Sequence, residues 1–183
     1  ELSKHKSLGV ITVQCEDEIS GCATAIGASF AGALAVTTTS GPGVCLKSEA
    51  MNLAVITELP LVVLNVQRGG PSTGLPTKSE QTDLLQALFG RNGESPMPVI
   101  AATSPTNCFD AAYAACKMAL EHMTPVVLLT DGFVANGSGS WKLPNLDTYP
   151  EIKPQYVTPE MKDNYTPYKR NPENQVRYWA IPG

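Results

Sequence analysis

The stretch "PLVVLNVQRGGPSTG", residues 60–74, joins an apolar strand to a glycine-rich loop. Pro60 begins the strand, a position where its missing N–H is tolerated. Other apolar runs of strand length lie at 9–14, 35–39, 98–102 and 125–130, and helical stretches lie between them at about 18–33, 44–57, 80–89 and 106–122. Near-continuous apolar strands that alternate with helices predict an α/β fold. We expect a doubly wound, mostly parallel sheet with helices on both faces.

Composition narrows the class of protein. The chain has 183 residues, is 43% hydrophobic and carries a net charge of −4. One domain with a real core is therefore expected, and no charged surface for nucleic acid or an anionic membrane. No run approaches the roughly 18 apolar residues that a membrane helix needs, so the expected location is the cytoplasm. We also expect the chain to be a piece of a longer protein.

The five cysteines indicate a reducing compartment. They are odd in number and lack any C-x-x-C spacing. They are therefore interpreted as small buried hydrophobic side chains rather than disulfides or metal ligands.

Residues 137–183 differ in character from residues 1–136. They hold seven of the fifteen prolines, five of the six tyrosines and both tryptophans. The division predicts an α/β domain over 1–136, truncated at its N-terminus, and an extended tail over 137–183. Two interpretations of the tail stay open. It either lies along another surface or links to a further domain.

The first helix begins with the acidic cluster Glu16-Asp17-Glu18 and continues with small residues. No charged residue occurs between Glu18 and Lys47. The simpler interpretation is that these carboxylates complement the helix dipole, by about 0.3–1 kcal/mol. The alternative is that one carboxylate faces an apolar wall, poor in water, and shares a proton with a ring nitrogen.

Two loops at predicted strand ends have functional composition. "TTTSGPG", residues 37–43, joins a strand to a helix at the edge of the sheet where ligands bind in open α/β folds, but it matches no nucleotide-binding motif. Asp131, Gly132 and Asn136 suggest a magnesium and diphosphate motif, but they follow too closely on one another. We interpret 128–138 as a strand end and a loop, with no metal site in this chain.

These motifs together resemble the pyrimidine-binding domain of thiamine-diphosphate enzymes. More narrowly, "NVQRGGPSTGLPTKSEQTDLLQALFGRNGE", residues 65–94, and the strand before it resemble the α subunit of 2-oxoacid:ferredoxin oxidoreductases of the 2-oxoglutarate type. The resemblance covers about residues 8–136 and, faintly, "RYWAIPG" at 177–183.

The resemblance implies roles for particular residues. Glu18 matches the glutamate that contacts a ring nitrogen of the aminopyrimidine and exchanges a proton with it. Thr39, Ser40 and Gly41 match the loop beside that ring. Arg68 matches an arginine that binds the 2-oxoacid carboxylate, for which a planar guanidinium is well suited.

Two further residues complete the expected substrate site. Thr77 matches a pocket hydroxyl. Lys78, beside it, is our hypothesis for a second, distal carboxylate.

The resemblance also implies a shared active site. The expected cofactor is thiamine diphosphate, with the diphosphate domain and Mg²⁺ on a β subunit and the iron–sulfur cluster on partner chains. The expected reaction is oxidative decarboxylation of a 2-oxoacid, with coenzyme A and ferredoxin as further reactants. Alternatives are an acetolactate-synthase-like thiamine enzyme and a non-catalytic scaffold subunit.

Overall fold

A computed structural model describes residues 1–182 of the chain. Its sheet has four strands: β1 (Ala35–Thr39), β2 (Leu61–Gln67), β3 (Val99–Ala101) and β4 (Pro125–Asp131). They run parallel in the order β1-β2-β4-β3. The α-helices are α1 (Glu18–Phe30), α2 (Gly41–Leu46), α3 (Ser48–Ile56), α4 (Leu84–Phe89), α5 (Cys108–His122) and α6 (Gly132–Asn136).

Helices cover both faces of the sheet, as the sequence predicts. Successive side chains of a strand point to opposite faces. Leu61 and Val63 of β2 therefore pack with α1 to α4, while Val62 between them packs with α5. The two central strands are buried on both faces, which explains their near-continuous apolar sequence. The doubly wound α/β prediction is confirmed.

The predicted strand at 9–14 is wrong. Residues 10–15 form no regular structure, and Ile11 is 89% exposed. A strand needs a neighbouring backbone to pair with, and within the described residues none pairs with this segment. Its apolar run alone was therefore insufficient to form a strand.

The helix boundaries also needed correction. The helix predicted at 44–57 starts earlier, at Gly41, and is broken into α2 and α3 at Lys47. Pro42 suits the first turn of α2 because its absent N–H would have no partner inside the helix. The helix predicted from residue 80 starts only at Leu84, after a segment without regular structure.

The tail lies along the surface of the α/β domain itself. Trp179 is 1% exposed and packs in a cluster with Leu120 and Met123 at the end of α5. Tyr168 donates its hydroxyl hydrogen bond to the carbonyl of Ile56 at 2.8 Å. These contacts tie residues distant in sequence to the domain. The division of the chain at residue 136 stays a prediction.

Candidate functional site

A groove of about 720 Å³ lies at the carboxyl edge of the sheet. Gly41 and Pro42, which follow β1, form part of its lining, and Arg68, which follows β2, forms another part. Ligands bind at this edge in open α/β sheets because loops from neighbouring strands converge there. The groove is therefore the candidate functional site.

Arg68 is the cation of this groove. Its side chain is half-buried, and its Nε is fully buried without a hydrogen-bond acceptor among residues 1–182. A buried donor without an acceptor is costly, and native structures leave few of them. The arginine therefore has unused capacity to bind an acidic ligand.

The loop after Arg68 folds back on itself. The Gly69 N–H donates to the Lys78 carbonyl at 2.9 Å, and the Leu75 N–H donates to the Gly69 carbonyl at 2.9 Å. The Glu80 carboxylate accepts from the Gly70 N–H at 2.7 Å. These bonds hold both ends of the loop next to β2. The glycine-rich stretch that follows the apolar strand at residue 68 is thus an ordered loop.

Thr77 and Lys78 lie on the outside of that loop. Both side chains are exposed and neither lines the groove. The backbone of Thr77 is left-handed, with φ of 67°. The structure therefore does not bring these two residues together with Arg68 in the groove.

Glu18 lies against the turn that follows β1. A Cβ on Gly43 would be 1.8 Å from Thr39 Oγ1 and 2.8 Å from Glu18 Cγ. Only glycine permits this approach, so Gly43 lets the side chains of Thr39 and Glu18 meet there. The structure thus brings together two of the residues predicted for cofactor binding and proton exchange.

The start of α1 is held by its neighbouring aspartate. The Asp17 carboxylate accepts from the Ser20 N–H at 2.7 Å, and the Asp17 N–H donates to Ser20 Oγ at 3.2 Å. The hydrogen bond from the Ser20 N–H lowers the pKa of Asp17. This capping leaves the neighbouring Glu18 free of that task. The expectation that the carboxylate faces a wall poor in water is wrong for Glu18, which is exposed.

A carboxylate closes the other side of the turn. A Cβ on Gly41 would lie 2.7 Å from Asp83 Oδ2. The same carboxylate oxygen accepts from Asn65 Nδ2 at 3.0 Å, and the Asp83 N–H donates to Gln67 Oε1 at 3.0 Å. Ser40 is half-buried beside it. Asn65 and Gln67, at the end of β2, therefore hold Asp83 in place in the groove lining. The apolar periodicity of the sequence does not predict these contacts.

Asp131 has a structural task. It accepts from the N–H groups of Phe133 and Val134, at 2.7 and 3.0 Å, and so caps α6. Burial raises the pKa of Asp131, but the hydrogen bonds from Val134, Gln81 and Phe133 outweigh it and lower the pKa overall. The loop predicted after Asp131 is thus a short helix.

The cysteines are only partly as predicted. All five are free thiols. Cys22 is fully buried, but Cys45 is exposed in the groove lining, where Gln86 Nε2 donates to its sulfur at 2.8 Å. The interpretation of all five as buried hydrophobic groups is therefore wrong for Cys45. Its position after Gly43 on the short α2, rather than its residue type, leaves it at the surface.

Within residues 1–182, no helix is both long and apolar enough to span a membrane. The same part of the chain contains no group of three or more His, Cys, Asp or Glu side chains placed to hold a metal ion.

Residues 1–180 match the profile of the family described as "pyruvate flavodoxin/ferredoxin oxidoreductase, thiamine diP-bdg". The 2-oxoglutarate oxidoreductase subunit KorA of Mycobacterium tuberculosis is 56% identical over all 183 residues, which cover 28% of that protein. The 2-oxoglutarate synthase subunit KorA of Archaeoglobus fulgidus is 45% identical over 138 residues, which cover 75% of this chain and 40% of that protein.

A solved structure is also similar. It is the 2-oxoglutarate:ferredoxin oxidoreductase of Magnetococcus marinus, with 2-oxoglutarate, coenzyme A and succinyl-CoA bound. The TM-score is 0.89 at 35% identity, over 99% of this chain and 31% of that chain. The present chain therefore spans between about a quarter and two fifths of the length of these relatives.

The side chains at this edge of the sheet fit a thiamine-type cofactor by their chemistry. Gly43 lacks a Cβ, so the side chains of Glu18 and Thr39 pack directly against the turn that follows β1. Arg68 offers a donor without an acceptor nearby. The two features place a carboxylate and a guanidinium at one edge of the sheet.

Proposed function

The chain belongs to the thiamine-diphosphate-binding family of pyruvate flavodoxin/ferredoxin oxidoreductases, and from this premise we propose that it supplies half of an active site that oxidises a 2-oxoacid. The proposed substrate is 2-oxoglutarate, and the proposed products are an acyl-CoA, carbon dioxide and reduced ferredoxin. The relatives named as 2-oxoglutarate enzymes support this choice of substrate.

The observation that carries the proposal is that Arg68 lines the groove while its buried Nε has no acceptor among residues 1–182. A 2-oxoacid carboxylate would accept the hydrogen bonds that the protein does not accept. Charge-assisted bonds from a planar guanidinium are both strong and directional. Arg68 therefore binds and orients the substrate.

Glu18 holds the proton at the cofactor ring. Its carboxylate stands at the turn containing Thr39, Ser40 and Gly41, which would line the aminopyrimidine. Thiamine diphosphate, when bound, supplies an electron sink for the electrons released by decarboxylation. The chain's own part is to position that ring and to exchange its proton through Glu18.

A partner chain would hold the diphosphate. Besides Arg68, the groove lining carries the carboxylates of Glu80 and Asp83, and these would repel a diphosphate. We therefore assign the diphosphate and Mg²⁺ to a β subunit, and the iron–sulfur cluster to partner chains. Thr77 and Lys78 would contact the substrate only if the loop that carries them moved toward the groove. The cytoplasmic location stays a prediction.

The test is reconstitution of the full-length α chain with its β subunit. Glu18→Gln keeps the shape of the side chain but removes the carboxylate that accepts and returns the proton, so thiamine-dependent electron transfer to a dye should fall at least about a hundredfold. Glu16→Gln is the matched control, since Glu16 is an exposed acid two residues away.

The control should retain wild-type rates. Wild-type rates from Glu18→Gln as well would refute the mechanism and favour the scaffold alternative. A full-length chain that carries its own diphosphate domain would instead favour the acetolactate-synthase-like alternative.

A further inference from the structure

Lys47 is a buried lysine that the sequence did not single out. It lies at the junction of α2 and α3 and is 1% exposed. Its Nζ donates to Thr37 Oγ1 on β1 at 2.9 Å. The side chain therefore runs inward, under the helices, rather than outward to solvent.

This burial lacks the usual compensation. Fully buried lysines are rare unless they are paired with an acid. Within the described residues, no carboxylate oxygen lies within 4.0 Å of the Lys47 Nζ. Burial lowers the pKa of Lys47, and the nearby Cys22 and Glu18 oppose that shift. A costly buried ammonium without an ion pair calls for an explanation by function.

The geometry connects Lys47 to Glu18. Gly43 and Lys47 are four residues apart and are joined by a backbone hydrogen bond of 3.1 Å, and Glu18 packs beside Gly43. A Cβ on Gly21, three residues after Glu18 and therefore on the same side of α1, would lie 3.9 Å from Thr37 Oγ1. Thr37 Oγ1 is the atom that accepts from the Lys47 Nζ. The ammonium therefore lies close to the first turn of α1, which Glu18 begins.

We propose that Lys47 is a positioning residue of this site, whose ammonium, anchored by Thr37, supplies a fixed positive charge behind the Glu18 carboxylate. The inference rests on the proposed function, because it concerns the proton exchanged at Glu18. A positive charge in a medium of low dielectric constant disfavours extra protons nearby. Lys47 thus favours the state in which the carboxylate and the ring hold one proton fewer.

The titratable groups that face Lys47 are few. From α1 they are Glu18 and Cys22, and burial raises the pKa of the Cys22 thiol, which keeps it neutral. From β1 comes the hydroxyl of Thr37, which does not titrate in water. Glu18 is therefore the charged group on which the Lys47 ammonium acts.

The decisive variant is Lys47→Met in the full α–β complex loaded with thiamine diphosphate and Mg²⁺. The protonation state of the bound aminopyrimidine is followed by its near-ultraviolet circular dichroism as pH is varied. Loss of the positive charge should raise the midpoint of that titration by about one pH unit. Methionine has a similar volume, and replacing a buried charge by an apolar group is often neutral for stability.

Two further variants complete the design. Thr37→Val removes the anchor and should shift the midpoint in the same direction by a smaller amount, which keeps the test available if Lys47→Met does not fold. Lys117→Met removes a lysine from α5, on the other face of the sheet, and should leave the midpoint unchanged.

The outcomes separate this inference from the proposed function. A wild-type midpoint in Lys47→Met, or in Thr37→Val alone if the first variant does not fold, would overturn the role of Lys47. A wild-type complex that binds no thiamine diphosphate would overturn the proposed function instead, and with it the premise of this inference.

Discussion

Arg68 and Arg91 are both half-buried arginines, and they lie at the two ends of the same loop and helix segment. The guanidinium of Arg91 uses four of its five N–H donors within the protein. It donates to the carbonyls of Ala87 at 2.8 Å, Leu88 at 3.2 Å and Ser95 at 2.8 Å, and to the Ser95 hydroxyl at 3.1 Å. In contrast, the Nε of Arg68 has no acceptor among residues 1–182.

The difference separates a structural arginine from the one proposed to bind substrate. Arg91 satisfies the free carbonyls at the end of α4, which have no partner within the helix. It therefore closes a helix, and only one of its five N–H donors is left without an acceptor. Arg68 lines a groove with its Nε donor unused, and in the proposed function a bound anion completes its environment. Residue type and partial burial are the same, so the partners alone distinguish the two.

The largest expected effect is that of Arg68→Met. Loss of a charge-assisted contact to the substrate carboxylate should lower kcat/KM for 2-oxoglutarate by about a hundredfold to a thousandfold. The unfolding midpoint should stay near that of the wild type, because no internal hydrogen bond is lost. Steady-state kinetics of the complex measure kcat/KM, and thermal unfolding measures the unfolding midpoint. The kcat/KM of Arg68→Lys should lie between those of the wild type and Arg68→Met, because lysine keeps the positive charge but lacks the planar guanidinium.

Arg91→Met should show the opposite pattern. Three backbone carbonyls lose their donor, so the free energy of unfolding should fall by about 2–3 kcal/mol. Chemical denaturation of the full-length α chain measures this loss, with Arg68→Met as the reference. The rate per folded complex should remain close to wild type. A large fall in kcat/KM without loss of stability would contradict the distinction between the two arginines.

The smallest expected effect is that of Lys78→Met. Lys78 is exposed on the outer side of the loop, so water screens its charge. We expect the preference for 2-oxoglutarate over pyruvate, as a ratio of kcat/KM values, to fall only a few-fold. Lys142→Met is the control, because Lys142 is also an exposed lysine. An unchanged ratio would remove Lys78 from the substrate site.

The sequence predicted the fold better than the site. The central strands are apolar on both faces because helices cover both, and that pattern is local and readable. Residues 9–14, wrongly predicted as a strand, have a similar apolar run but no strand beside them in the structure. An apolar run alone does not show which segments become neighbours in space. Glu18 and Gly41 were predicted as site residues from the family resemblance, and the structure places both at the turn that follows β1, while their roles stay predictions.

The sequence by itself therefore determined the alternation of strands and helices along the chain, the burial of the sheet on both faces and the loops at its carboxyl edge. Each depends on periodicity or on residues adjacent in the chain. Only the tertiary structure decided which charged groups have partners. Lys47 meets Thr37 ten residues away, across a helix and a strand, and Asp83 meets Asn65 from the next element. Hydrogen bonding and burial depend on distances in space, and folding alone sets those distances.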